Sequence, residues 1–173
     1  MSNKVEELEN NNLFSKQYKL VWKEINQIRT FVCNTLIEKG LDKRDSDSII
    51  LIISELLENV FKYSEKKIVS ITVCNDLKTD NIIQVKLDNP VNKKDIKHLK
   101  YLRKELARVN SYKDVQKLLV DTVKRSADFD KGKSSIGLAL IRITSKGSKI
   151  ILERSDIYKT GISILISYPL SRN

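Results

Sequence analysis

SELLENVFKYS, residues 54–64, decides how this chain is read. It lies in an apolar run that opens at Ile49, yet it carries Glu55, Glu58, Asn59 and Lys62 in a short space. The spacing predicts a helix over residues 46–63. At about 100° per residue, Ile49, Ile53, Leu56, Leu57 and Val60 share one apolar stripe. Glu55, Asn59 and Lys62 fall within roughly 60° of one another and make a narrow polar stripe beside it. Asn59 lies nearest the apolar edge and is expected to be partly covered. A buried amide left unpaired costs about 1–3 kcal/mol. A carboxylate beside it costs more unless it is paired or hydrates a cation.

Two readings satisfy that stripe. In one it is a magnesium–phosphate site. Asn59 offers a hard oxygen ligand, Glu55 orients a water or hydroxyl, and Lys62 faces phosphate. Magnesium takes few protein ligands and shares the rest with phosphates and waters. In the other it is an amphipathic helix whose Glu58 and Lys62 form a surface i,i+4 pair.

The rest of the chain sets the context. Its 173 residues suit one domain with a single core. Hydrophobic residues at 40% and charged residues at 31% exclude a disordered chain. No apolar run is long enough to span a bilayer. The opening MSNKVEELENNN lacks the apolar region of a secretory signal. Cys33 and Cys74 give neither a metal-ligand spacing nor a disulfide framework. These features point to a cytoplasmic protein with free thiols. The formal net charge of +10 favours acidic partners, although lysine also serves as a solvated surface.

Residues 1–12 read as a flexible N-terminus, and 13–170 as a single domain. Residues 13–39 read as a helix stopped by Gly40. LDKRDSD offers N-caps for the helix that follows. Residues 67–75 and 81–88 alternate as two strands, with a hairpin turn between them. Residues 93–127 return to a helical, basic pattern, and DFDKGKSS breaks it. A short buried helix follows at 136–146. SKIILERS and TGISILISYP make a closing strand pair with a turn near residues 157–159. Adjacent antiparallel pairs with helices on one face predict an α/β two-layer sandwich with a mostly antiparallel sheet.

Further segments give this order a family resemblance. VKLDNP ends the second strand with Asp88, GKSSIGLALIRI enters a helix at Gly137, and ERSDIYKTGISILISYP closes the chain. In this order the segments resemble the GHKL (Bergerat-fold) ATP-binding domain, over roughly Phe14 to Leu170. The stretch from Asn26 to Ser64 resembles the opening of the anti-sigma-factor serine kinases. A nearer resemblance is to the SiaB-like family of small stand-alone Bergerat proteins, which work as partner-switching kinases.

The resemblance implies ATP and Mg2+ as cofactors. It implies Asn59 as the magnesium ligand, Glu55 as the general base and Lys62 as the basic residue near phosphate. It implies Asp88 as the reader of the adenine amino group. Ser135, Gly137 and Leu138 would belong to the loop bordering the triphosphate, and 92–134 would be a lid-like insertion. The departures are specific. The adenine motif D-x-G-x-G reads Asp88-Asn89-Pro90-Val91-Asn92, without its glycines. The phosphate loop keeps only Gly137 in register, and Gly161-Ile162 replaces the closing Gly-Thr.

His98 is the only histidine, so neither a histidine phosphoacceptor pattern nor a Ser-His-Asp triad is expected. It reads as an exposed helix residue. GKSSIG lacks the rest of a phosphate-binding P-loop. The basic 93–108 segment reads as a solvated face, and a nucleic-acid partner is not expected. Two functions remain. One is a serine/threonine kinase of anti-sigma type acting on a STAS-domain protein in a partner-switching pathway, with a homodimer implied by the same resemblance. The other is a non-catalytic Bergerat-fold interaction module that has lost efficient ATP binding.

Overall fold

The computed structural model describes residues 11–76, 79–128 and 136–171. Five antiparallel strands form one sheet: β1 (Asn12–Lys19), β2 (Ile68–Asp76), β3 (Thr79–Pro90), β4 (Ile150–Arg154) and β5 (Gly161–Pro169). Their order is β1-β2-β3-β5-β4. Five α-helices accompany it: α1 (Ile25–Glu38), α2 (Lys43–Tyr63), α3 (Ile96–Ser111), α4 (Val115–Asp128) and α5 (Ile136–Thr144). The helices lie on one side of the sheet, so the α/β two-layer sandwich expected from the sequence is the fold.

Alternation along the strands sorts the two faces. Val69, Ile71 and Val73 of β2, Ile83, Val85 and Leu87 of β3, and Ile164, Ile166 and Tyr168 of β5 are buried in the core. Their alternates include Ser70, Gln84, Lys86, Asp88 and Ser163, and face away from the helices. The α2 stripe fills the other half of the core. Ile49, Ile52, Ile53, Leu56 and Leu57 are almost fully buried. Each such side chain contributes about 1.5–3 kcal/mol through burial.

The helix ends follow from local chemistry. Asp42 caps α2 by accepting from the Asp45 amide at 2.8 Å. Gly40 ends α1 with φ +93, the left-handed turn that glycine adopts without a Cβ penalty. The Leu41 amide then reaches back to the Leu36 carbonyl at 3.1 Å. The start of α2 is tied to the C-terminal end of the chain. The buried Asp45 carboxylate accepts from Tyr168 Oη at 2.7 Å, Ser171 Oγ at 2.9 Å and the Ser171 amide at 3.0 Å. Burial works to raise its pKa, but these hydrogen bonds outweigh it and hold the carboxyl below its usual value.

One expectation is corrected. Residues 13–39 are not one helix. Asn12–Lys19 is the edge strand β1, paired with β2, and a 3₁₀ turn at Trp22–Glu24 leads into α1. Phe14 turns toward the helices and meets Phe31 edge-on at 6.1 Å. Pairing with β2 satisfies the backbone of this segment. The helical 93–127 segment is divided into two helices, α3 and α4. Asp114 Oδ1 accepts from the Gln116 and Lys117 amides and starts α4 anew.

Candidate functional site

The C-terminal half of α2, the end of β3 and helix α3 enclose a cavity of about 90 Å³. Asn59 and Tyr63 line it from α2, Asn89 from β3, His98 and Leu102 from α3, and Leu138 from α5. Ile162 and Ile164 of β5 complete its wall. The sequence-predicted residues divide around this space.

Glu55 and Asn59 are half-buried and one helical turn apart. Glu55 lies against the start of α5. A Cβ on Gly137 would overlap Glu55 Oε2 and stand 3.4 Å from Cδ. Glycine at 137 therefore makes room for the carboxylate. Burial raises the Glu55 pKa, the Glu58 charge raises it further, and Lys62 and Arg29 work against both. A carboxyl pushed upward in this way holds its proton to higher pH than an exposed one. Asn59 carries no side-chain hydrogen bond to a described residue, so its amide oxygen is free to meet a ligand in the cavity. Lys62 points elsewhere. It is exposed and bonds Glu58 at 3.1 Å, the i,i+4 surface pair. Ser135 lies outside the described residues.

Asp88 is on the wrong face for the role that the motif implied. Its side chain is fully buried on the sheet face opposite the cavity. Oδ1 accepts from Ser155 Oγ at 2.6 Å and from Ser163 Oγ. Ser155 Oγ in turn accepts the Ile157 and Tyr158 amides, both at 3.2 Å. Lys86 bonds Asp156 at 3.0 Å, and Tyr158 Oη accepts from Gln17 at 2.6 Å. Asp88 thus anchors the β4–β5 loop across the back of the sheet.

The next residue takes the forward position. Asn89 continues the alternation of Val85 and Leu87 and lines the cavity at 6% exposure. Its Nδ2 donates to Ser64 Oγ and to the Pro90 carbonyl, both at 3.1 Å. That leaves Oδ1 as an acceptor. The signal was present in the sequence: apolar residues at 83, 85 and 87 place 89, not 88, on the core side.

The 92–134 insertion enters as the helical pair α3–α4, as far as it is described, and α3 roofs the cavity. His98 is exposed as expected, but it stands at the cavity rim, 5.5 Å from the Tyr63 ring. The pair is held together by Arg108 of α3, which donates to buried Thr122 Oγ1 of α4 at 3.3 Å, and by buried Glu105, which lies 3.8 Å from Arg125. Buried Arg142 of α5 donates to the Tyr112 carbonyl at 2.8 Å and so grips the α3–α4 linker. At its root, buried Asp95 accepts the Glu65 amide at 3.2 Å and the Asn92 amide at 3.0 Å. Glu65 also bonds Lys94 at 2.7 Å.

Among the described residues there is no cluster of three or more His, Cys, Asp or Glu able to hold a metal. No helix among them is long and apolar enough to cross a membrane.

No family model matches the chain, and no curated protein sequence matches it. Among solved structures, a chain of the crystal structure of the SiaB–SiaC complex from Pseudomonas aeruginosa is similar, with a TM-score of 0.68. The match covers 96% of this chain and 95% of that chain at 11% sequence identity. At that identity the likeness is one of fold.

Proposed function

We propose that this protein is a nucleotide-binding regulator that acts on a partner protein, of the anti-sigma serine/threonine kinase type. The observation that carries the reading is the α2 stripe. Glu55 and Asn59 sit one helical turn apart beside a cavity that Asn59 lines together with an amide acceptor, Asn89. The residues fit magnesium and ATP in part. Asn59 would give magnesium a hard oxygen ligand. Asn89 Oδ1 would accept from the adenine amino group in place of Asp88. Bound magnesium–ATP would supply the phosphoryl group and neutralise its charge. Glu55 would take the proton of an acceptor hydroxyl on a STAS-type partner, helped by its raised pKa. Lys62, paired with Glu58, has no role at phosphate in this arrangement. The fold shared with a chain of a two-protein complex supports the partner-binding half of the reading.

Three observations favour a second reading, an interaction module without chemistry. The adenine motif lacks its glycines, Asp88 faces away, and Lys62 is paired outward. Calorimetry with magnesium–ATP on wild type and Asn59→Ala separates the two. Micromolar binding lost in the variant supports the kinase-type reading. Absence of binding at millimolar ATP removes it and leaves the module.

A further inference from the structure

A second depression adjoins the cavity and shares Val91, Leu99 and Ile162 with it. It lies between the β3–α3 turn and the β4–β5 loop, which are joined by the Val91 amide donating to the Thr160 carbonyl at 2.8 Å. Its rim carries Lys66, Lys93, Arg154 and Lys159, all exposed. None of these four cations forms an ion pair with a described residue. The acids close by are already engaged: Glu65 bonds Lys94, and Asp156 bonds Lys86. The floor is aliphatic, built from Val91, Leu99, Ile162 and Ile96, the last 49% exposed.

Four unneutralised cations around an apolar floor are complementary to one kind of ligand. It must bring negative charge for the rim and an aliphatic group for the floor. An apolar centre inside a polar rim is also the anatomy of a protein interface. Single-stranded nucleic acid asks for aromatic side chains on which bases stack, and no aromatic residue lines this depression. We propose that the depression docks an acidic segment of a partner protein, which seats an aliphatic side chain on the floor between the four cations. This deepens the partner-binding half of the proposed function and rests on that half alone. It does not require nucleotide.

The test is selection from a phage-displayed random peptide library on the full chain, with Lys66→Glu/Arg154→Glu as the counter-selected protein. Both side chains are exposed, and circular dichroism checks that the variant folds. Wild type is expected to enrich peptides with acidic residues flanking an aliphatic one. A synthetic peptide of that consensus should bind the double variant about tenfold or more weakly, since like charges then face each other. Its affinity for wild type should fall as salt rises. Asn59→Ala should bind the peptide as wild type does, which keeps the outcome separate from that of the ATP experiment. An enriched consensus without acids, or no consensus specific to wild type, overturns the proposal. So does tighter, variant-sensitive binding of an oligouridine RNA or of phosphatidylserine vesicles. If a STAS-type partner binds the double variant and wild type equally, the partner reading survives and the depression drops out of it.

Discussion

Asn89 and Asp88 are neighbours in the chain and lie on opposite faces of one sheet, so exchanging their roles by mutation tests the site directly. Asn89→Leu keeps the number of side-chain heavy atoms and deletes the cavity-facing acceptor. If Asn89 Oδ1 receives the adenine amino group, the variant leaves that buried donor without a partner. Such a loss costs about 1–3 kcal/mol, a factor of roughly 5 to 150 in Kd. Asn89 also donates to Ser64 and to the Pro90 carbonyl. A stability loss of about 1–2 kcal/mol is therefore expected and must be measured alongside. Asp88→Asn keeps an oxygen for Ser155 and Ser163 and changes nothing inside the cavity, so the Kd should stay within about twofold. Calorimetry with magnesium–ATP, paired with thermal melts, reads both effects. A folded Asp88→Asn protein that no longer binds, beside an Asn89→Leu protein that binds normally, would refute the face assignment.

Three further outcomes follow from particular contacts. Gly137→Ala drives a methyl into Glu55 Oε2, a flexible group, so the melting temperature should barely move; under the proposed kinase-type function phosphoryl transfer should drop tenfold or more, and an unchanged rate would detach Glu55 from that chemistry. Gly161→Ala places a Cβ 2.7 Å from Tyr158 Cβ and 3.0 Å from the Asn89 carbonyl oxygen, so urea unfolding should show a loss of about 1–3 kcal/mol. Asp45 has a folded-state pKa below its unfolded value, so its contribution is present above the unfolded value of about 3.9 and fades as pH falls through the folded one. Asp45→Asn should therefore lower stability at neutral pH and flatten the acid limb of the melting profile; identical acid limbs would contradict the linkage.

What the sequence disclosed depended on whether the signal was local. The α2 stripe was legible because an amphipathic helix writes its burial in a period of 3.6. Ile49, Ile53, Leu56, Leu57 and Val60 are all buried. Gly40 as the stop of α1 was legible for the same reason, since left-handed backbone has few tenants. β1 was not read, because an edge strand is only half specified by its own residues. Lys16 and Gln17 interrupt its pattern, and its identity rests on pairing with β2, 49 to 62 positions away. The role of Asp88 was misread for a different reason. Motif matching aligned an aspartate to an aspartate, whereas the strand period of two had already assigned the cavity face to residue 89. Lys62 was drawn toward phosphate by its helical angle, but the angle is silent about Glu58, which holds it.

The size of the cavity imposes a last requirement. About 90 Å³ is well below the roughly 300–1,000 Å³ of sites that hold drug-sized ligands. If a nucleotide enters, the α3 roof must lift, and its root is where it can turn. The connection from β3 to α3 is fixed by Asp95, whose two carboxylate oxygens hold the Glu65 and Asn92 amides. Hydrogen bonds to a charged group contribute about 1.5–3 kcal/mol each, so breaking both weakens the root by about 3 kcal/mol or more. Asp95→Ala should therefore speed amide exchange in α3 by a factor of about 100, as for an opening made easier by roughly 3 kcal/mol. Amides of β2 and β3, which do not depend on that root, should keep their rates. Magnesium–ATP should reverse part of the gain in α3 if the roof closes over it. Exchange that accelerates equally in helix and sheet would show Asp95 to be a general stabiliser, and the roof would then have to open elsewhere or stay shut.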